Sequence, residues 1–458
     1  MESDVVIIGS GQAATPLANR LVERGQSVVV IERGDLGGTC VNTGCTPSKT
    51  MIASAKAAHV ARTAAALGVT VGDVKVDLGA VVDRKNAMVS RWRQGVEKRL
   101  TSAPRLHLVH GHARFVDRLT VQVGEDRYSG KSIVINVGAR DHAPTLAGLD
   151  GVPWLNHARL MNLRQLPAHL LVLGGGYIGC EMAQMFRRFG AAVTVVSTAE
   201  RLLPKEDHDV SQPLEEVFGA EGITLCLGAR PVAATSGEGD TAAVLQLADG
   251  RHIAGSHLLV ATGRRPNTDD LGCAAAGITL DEPGHVIVDD QYRTSNPDVY
   301  AVGDAIAGPQ FTHVSWDDHR RLLAILTGKK GVPAKGRADQ LVPYAVFTDP
   351  QVAGVGMSQK EAQAAGVRHE VATFAFGKIA RAIETDQTAG VVKVIIDPAS
   401  EQILGARIVG AEAGELIHVF AALMRAGTPA RVLVEGQMVH PTFAEGLQSA
   451  LMTLPRFA

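Results

Sequence analysis

Residues 4–32 read DVVIIGSGQAATPLANRLVERGQSVVVIE, and residues 169–197 read HLLVLGGGYIGCEMAQMFRRFGAAVTVVS. Each is an apolar run, a glycine turn, a helix-like segment closed by a glycine (Gly25, Gly190) and a second apolar run. The copies align without a gap: Gly9 to Glu32 and Gly174 to Ser197 both span 23 residues. A closing glycine suits a helix C-terminus. The β-branched second runs suit strands buried on both faces of a parallel sheet. The spacings Gly9-x-Gly11-x-x-Ala14 and Gly174-x-Gly176-x-x-Gly179 are those of a dinucleotide-binding turn. In such a turn the first glycine permits the tight bend and the second lets backbone approach a pyrophosphate. The third, small position lets helix and strand pack closely. The helix N-terminus then offers N–H donors and partial positive charge to the phosphates.

The residue closing each second strand discriminates between ligands. Glu32 can accept hydrogen bonds from a ribose 2′-hydroxyl, as FAD or NAD requires. Its counterpart is Ser197, with Arg201 close behind. A missing carboxylate and a nearby arginine accommodate a 2′-phosphate, so the second copy favours NADPH, with NADH the alternative.

The whole-chain numbers narrow the class. At 458 residues the length points to about three domains. A formal charge of −2 gives no electrostatic reason to expect nucleic acid as a partner. With 46% apolar and 20% charged residues the chain is globular rather than disordered. Aromatics are only 4%, so aliphatic side chains and alanine must fill the core. No run reaches the ~18 apolar residues of a membrane span, and the N-terminus lacks the basic and cleavage signals of a secretory leader. The expectation is a cytoplasmic protein without a membrane partner. Five cysteines, an odd and sparse number, do not make a secreted disulfide framework.

Two of those cysteines stand together in LGGTCVNTGCTPSKT, residues 36–50. Cys40 and Cys45 have no second pair or spaced histidines to complete a zinc site. Pro47 signals a helix start, and a thiol at a helix N-terminus is biased toward thiolate. Two thiols beside a dinucleotide turn point to a dithiol/disulfide couple. Cys180, Cys226 and Cys273 are scattered among apolar neighbours and read as core residues. His107, His110 and His112 form HxxHxH on a strand-like stretch and are not read as metal ligands; no metal site is expected.

The cysteine segment resembles the redox-active disulfide motif of the class I flavoprotein disulfide reductases, the pyridine nucleotide–disulfide oxidoreductases. The resemblance spans the chain. ATGRRPN at 261–267 is similar to the strand and turn returning to the flavin domain, and VYAVGD at 299–304 to the second FAD motif. VPYAVFTDPQVAGVG at 342–356 is similar to the start of the interface domain, and VHPTFAEGL at 439–447 to the His-Pro-Thr…Glu motif. The implied fold is α/β: two Rossmann-like dinucleotide-binding domains, the second inserted in the first, plus a C-terminal α+β dimerisation domain. The implied boundaries are 1–145 and 269–335 for FAD, 146–268 for NAD(P)H and 340–458 for dimerisation. GKKGVPAKG at 328–336 reads as a turn-rich connection to the last domain.

The resemblance also implies roles. Electrons would pass from NAD(P)H through FAD to the Cys40–Cys45 disulfide, and on to an external small-molecule or protein-bound disulfide. Cys45 would lie against the flavin and Cys40 would exchange with substrate. His440 would serve as base and Glu445 would orient it, both supplied by the other subunit of a homodimer. Lys49 would pair with Glu181 beside the flavin, and Tyr177 would be the aromatic gate over it. FAD would be held by Gly9, Gly11, Ala14, Glu32, Gly38, Thr39, Lys49, Ala113, Gly138, Gly303 and Asp304. NAD(P)H would be held by Gly174, Gly176, Gly179, Ser197, Arg201 and Gly263.

Three departures bear on the electron acceptor. The chain ends LMTLPRFA with no cysteine after Cys273, so it lacks the C-terminal cysteine pair of the mercuric reductases, which also typically carry tyrosine at the place of His440. INVGAR at 135–140 puts Val137 where the family usually has threonine. GPQFTHVSWDDHRR at 308–321 is unlike lipoamide dehydrogenases and more similar to reactive-chlorine-resistance flavoproteins and other mercuric-reductase-like members. Two alternatives to a disulfide reductase follow. One directs the same flavin chemistry to a metal ion, a quinone or oxygen. The other is a dinucleotide-binding redox sensor with little turnover, against which a histidine base argues.

Overall fold

The structure is a computed structural model that describes residues 1–239, 241–328 and 336–458. All of the 328–336 connection except its end glycines lies outside the described residues. The chain forms two compact units. One comprises residues 1–50, 81–142 and 263–340, the other residues 51–80, 143–262 and 341–458.

In the first unit the strand Glu2–Ile8 runs parallel to Val28–Glu32 on one side and to Asp126–Ile135 on the other. Leu106–His110 extends the sheet beyond Val28–Glu32, and Val299–Ala301 also runs parallel to Asp126–Ile135. The antiparallel strands Thr120–Val123 and Arg114–Phe115 complete it. Val5 to Ile8, Val28 to Ile31 and Ile133 to Ile135 are all buried, as an all-aliphatic parallel sheet requires.

The second unit repeats that plan. Ile223–Cys226, Ala192–Val196, His169–Leu173, His257–Val260 and Trp154–Leu155 form a five-stranded parallel sheet in that order. The repeat extends to register: Val5 faces Val28 and His169 faces Ala192, the same offset of 23 residues. It extends to the way each helix stops. Gly25 N–H reaches Val22 O and Gln26 N–H reaches Leu21 O; Gly190 N–H reaches Arg187 O and Ala191 N–H reaches Phe186 O. Both glycines have positive φ, 82° and 120°. This paired bonding closes the last helical turn with a left-handed residue that favours glycine.

Two antiparallel sheets complete the second unit. Pro231–Thr235, Ala243–Leu247 and His252–Gly255 form the smaller one. Tyr344–Val346, Gln351–Gly356, Ile403–Gly410, Val391–Ile396 and Glu370–Ala375 form the larger, with the helices Ala413–Ala426 and Glu445–Leu451 packed on it. The fold is thus the α/β class expected, with a second parallel-sheet segment interrupting the first and a C-terminal α+β part. Cys180 and Cys273 are buried as expected; Cys226, at a strand end, is only half-buried. No described helix is long and apolar enough to cross a membrane.

Close packing at Gly179 yields a test. A Cβ there would stand 2.0 Å from Gly174 O, whereas one on Gly176 would meet nothing within 4 Å. Gly179→Ala must push the helix off its strand, an overpacking that costs about 1–3 kcal/mol. Calorimetry should show a lower melting midpoint for Gly179→Ala and an unchanged one for Gly176→Ala.

Candidate active site

The cysteines sit where one short helix hands over to a long one. Cys40 lies within Gly38–Asn42, and Cys45 opens Cys45–Thr63. Between them Thr43 N–H and Gly44 N–H both bond to Thr39 O, at 2.9 and 2.6 Å, which turns the chain and brings the sulfurs together. Asn42 fixes the preceding loop: its Nδ2 donates to Asp35 O, Leu36 O and Gly38 O, while its Oδ1 accepts from Arg93. Both cysteines are thiols, Cys45 exposed and Cys40 half-buried. A hydrogen bond to Cys45, followed by burial, pushes the Cys40 thiol up, while Thr312 and the Lys49 charge act in the opposite sense. Two adjacent sulfurs do not readily both ionise.

Thr312 was not among the residues expected from the sequence. Its Oγ1 is 3.0 Å from Cys45 Sγ, and its hydroxyl also favours ionised Cys40. The residue stands at the start of the helix Thr312–Thr327, in the 308–321 stretch whose departure from lipoamide dehydrogenases was legible. Asp318 on the same helix was also missed. Only 1% exposed, it accepts from Gly303 N–H at 2.9 Å, Tyr292 Oη at 2.8 Å and Gln340 Nε2 at 2.8 Å. It thereby fixes the backbone beside Asp304, whose carboxylate pairs with Arg264 at 2.5 Å. Its raised pKa comes first from burial.

The residues expected to hold FAD gather in the first unit. Glu32 accepts from Ser10 N–H, Ser10 Oγ and Gly34 N–H at 2.8, 2.7 and 2.8 Å. A carboxylate has about four acceptor sites, so capacity for a ribose hydroxyl remains. Ser10 Oγ in turn accepts from Gly37 N–H at 3.0 Å, tying the glycine turn to the cysteine loop. A Cβ on Gly38 would come within 2.9 Å of Gly11 Cα, so the two backbones meet directly. Ala14 opens the helix Ala14–Val22, whose N-terminus has no side-chain cap. Thr39 is exposed on the cysteine helix, Ala113 is buried, and Gly138 and Gly303 occupy turns of positive φ. Asn267 ties down the departure from the family pattern: its Nδ2 donates to Val137 O at 2.9 Å and its N–H to Gly138 O at 3.0 Å. Uncapped helix N–H groups facing a turn of bare backbone fit a dinucleotide pyrophosphate.

The second glycine turn, in the second unit, has the same character. The helix Tyr177–Phe189 begins after Gly176 with no side-chain cap. Ser197 is buried at the end of its strand, and its hydroxyl accepts from Ala199 N–H at 3.2 Å. Arg201 makes no ion pair among the described residues. Gly263 opens the last segment of the first unit. Glu181, 7% exposed, accepts from Phe347 N–H at 2.9 Å. It belongs to the second unit and Lys49 to the first.

His440 and Glu445 are brought together as expected. His440 Nδ1 is 3.0 Å from Glu445 Oε1, and Thr442 N–H donates to Glu445 Oε2 at 2.9 Å. The bond from Thr442, then that from His440, holds the Glu445 carboxyl below the usual range, so it remains an anion. His440 itself is 69% exposed. Of the HxxHxH histidines, His112 lies 3.4 Å from Asp270 at the surface, and among the described residues no three His, Cys, Asp or Glu side chains converge.

The Thr312 contact makes a prediction. Thr312→Val removes one hydrogen bond at the sulfurs, worth about 1 kcal/mol. Alkylation of the cysteine pair by iodoacetamide at neutral pH should slow roughly three- to tenfold as the thiolate loses that bond, while Thr312→Ser, which keeps the hydroxyl, should match the wild type.

Comparison with known proteins shows the family. Residues 3–318 match the pyridine nucleotide-disulphide oxidoreductase family, and residues 342–451 match its dimerisation domain. The chain is 34% identical over 455 residues to a mercuric reductase of Lysinibacillus sphaericus, covering 99% of this chain and 83% of that one. It is 34% identical to a dihydrolipoamide dehydrogenase of Chaetomium thermophilum, covering 98% and 91%. Among solved structures, the Cu(II) complex of the HOCl-induced flavoprotein disulfide reductase RclA from Escherichia coli superimposes with a TM-score of 0.90 at 31% identity, covering 99% and 100%. The fold, the paired nucleotide turns and these likenesses together make the chain a member of the pyridine nucleotide-disulphide oxidoreductase family, an NAD(P)H-dependent flavoprotein oxidoreductase carrying that family's dimerisation domain.

Proposed function

We propose that this protein is an NAD(P)H:disulfide oxidoreductase whose Cys40–Cys45 pair delivers two electrons to an external disulfide. The observation that carries the reading is the thiol pair itself: Cys40 and Cys45 are both free thiols on either side of the turn at Thr43 and Gly44, with Thr312 Oγ1 3.0 Å from Cys45 Sγ. Bound FAD supplies the two-electron link between the nicotinamide and the cysteine pair. FAD is assigned to the first unit's glycine turn, Glu32 and Asp304, and the nicotinamide nucleotide to the second turn. The domain limits given by the sequence are kept: 1–145 with 269–335, 146–268 and 340–458.

Disulfide exchange then needs only residues of this chain. Cys40 loses its proton to His440 and attacks one sulfur of the substrate, forming a mixed disulfide and expelling the other sulfur as a thiolate. His440 returns the proton to that leaving thiolate, while Glu445, an anion, orients the ring. Cys45 attacks Cys40, re-forming the Cys40–Cys45 disulfide and releasing the second thiol. In the homodimer this reading requires, His440 and Glu445 of one subunit serve the cysteines of the other. Lys49 with Glu181 is assigned beside the flavin, and Tyr177 as the gate over it. NADPH is preferred to NADH because Ser197 stands where a carboxylate would exclude a 2′-phosphate and Arg201 has no ion-pair partner among the described residues.

A second reading sends the electrons to a soft metal ion. It draws on the pair of soft sulfur ligands, on the Cu(II) complex of the Escherichia coli relative, and on the mercuric reductases among the relatives. NADPH oxidation measured against a panel of small disulfides, with Cu(II) and Hg(II) alongside, separates the two. Turnover with a disulfide supports the first, and turnover with metal alone replaces it.

Two variants test the assigned roles. Because the bond to Cys45 and burial push the Cys40 thiol up, removing its base should make activity follow the thiolate fraction. His440→Gln should lose on the order of 10²–10⁴ in disulfide turnover at neutral pH. Below the raised Cys40 pKa, its residual rate should climb about tenfold per pH unit, while the wild type lacks that slope. Arg201→Ala should raise the KM for NADPH roughly tenfold, as loss of a charged hydrogen bond predicts, and leave the KM for NADH unchanged.

A further inference from the structure

Tyr177 stacks on Tyr344, with ring centroids 6.0 Å apart and planes 14° from parallel. Tyr344 begins the strand Tyr344–Val346, and its ring is held from several sides. Its hydroxyl donates a short bond to Glu206, a carboxylate 4% exposed. The other Glu206 oxygen accepts from Arg407 Nε at 3.0 Å. Arg407 is itself fixed by Val355 O, Ala406 O and Gly356 O at 3.1, 2.9 and 3.2 Å. Its guanidinium carbon lies 5.6 Å from the Tyr344 ring centre.

The opposing strand completes the seat. Tyr344 faces Gly354 in the antiparallel register, and a Cβ on Gly354 would stand 2.5 Å from the Tyr344 hydroxyl and 2.6 Å from its ring carbon. The tyrosine ring therefore fills a notch that glycine leaves open. Glu206 belongs to a turn anchored on the nucleotide motif: Glu206 N–H reaches Leu203 O, and Leu203 N–H reaches Gly175 O, both at 2.8 Å. Tyr177, the first residue of the helix that follows the same motif, thus meets a ring whose place is set by a buried ion pair.

We propose that Tyr344 is a positioning residue for nicotinamide entry: its locked ring holds Tyr177 by stacking, and a nicotinamide that takes the place of Tyr177 must first break that stack. This rests on the reading of Tyr177 as the gate. Burial pushes the Tyr177 hydroxyl up to about 12, and the Tyr344 hydroxyl also upward, so both rings stay neutral through the working range. An offset pair of neutral aromatic rings is worth roughly a three- to tenfold factor in an equilibrium constant. Glu206 and Arg407 act one step behind, by keeping Tyr344 where it is.

The test uses the flavin-loaded enzyme, with steady-state kinetics on NADPH and NADH and, apart from activity, the dissociation constant of NADP+ by calorimetry, which should move with KM. Tyr344→Leu should lower the KM for both nucleotides three- to tenfold with kcat held within twofold, and Tyr344→Phe, which keeps the ring, should stay near wild type. Gly354→Ala, which drives a methyl into the same ring, should shift KM in the direction of Tyr344→Leu and covers the case in which that variant does not fold. An unchanged or raised KM in Tyr344→Leu overturns the proposal. Tyr177→Leu separates it from the reading beneath: if Tyr177→Leu lowers KM and Tyr344→Leu does not, only the role of Tyr344 is lost. If Tyr177→Leu leaves KM unchanged, the gate itself is lost and the proposal with it.

Discussion

A Cβ on Gly9 would stand 2.4 Å from the carbonyl oxygen of Asn136, and much of the first unit is organised by that lack of room. Gly9 ends the turn out of the strand Glu2–Ile8, and Asn136 follows the strand Asp126–Ile135 beside it. Asn136 N–H bonds to Ile8 O at 2.8 Å, and its Nδ2 donates back to Gly9 O at 3.2 Å. Val302 N–H, just past the strand Val299–Ala301, reaches Ile135 O at 3.0 Å. Three parallel strand ends are thus pinned to one another through backbone. Bare main chain then lies next to the helix N-terminus, the setting to which a dinucleotide pyrophosphate is assigned in the proposed function. The second copy obeys the same constraint, since a Cβ on Gly174 would stand 2.4 Å from Ala261 O.

From that junction the cysteine loop inherits its position. Glu32, Ser10 and Gly37 form a continuous chain of hydrogen bonds from the strand end to the start of the first cysteine helix. The loop is rigid because Asn42 and Arg93 close it from outside. In the proposed cycle the two sulfurs move between the bonded distance of a disulfide, about 2 Å, and the wider spacing of two thiols, which a held backbone on both sides of the turn permits. In that proposed cycle Cys40 is also reached by a substrate and by a base. The hydrogen bond to Cys45, then burial, pushes the Cys40 thiol up. A histidine–glutamate pair elsewhere in the chain is the kind of group able to take its proton off.

What was legible in the sequence was whatever is encoded locally. The repeat, the glycine spacings, the cysteine helix start and the His440–Glu445 contact each span short stretches, and each appears in the structure at the residues named. Even the 23-residue offset between the two glycine motifs reappears as strand register. What was not legible depends on residues far apart in the chain. Thr312 reaches Cys45 across 267 positions, Asp318 takes Gly303 N–H across 15, and Tyr344, which stacks on Tyr177, is seated by a buried Glu206–Arg407 pair that links residues 201 positions apart. No periodicity or spacing announces such contacts, because the partners are chosen by sheet order and not by neighbourhood. The odd 308–321 stretch did mark where two of them lie.

The account's central claim is that Cys40 and Cys45 stand in the electron path between nicotinamide and acceptor. It is tested most directly by recording the visible spectrum during anaerobic titration of the flavin-loaded protein with NADPH. A long-wavelength band from a thiolate against the flavin should rise as two electrons are taken up, and it should disappear in Cys45→Ser. Bleaching of the flavin absorbance with no such band in the wild type would place the cysteines outside the path and contradict the account.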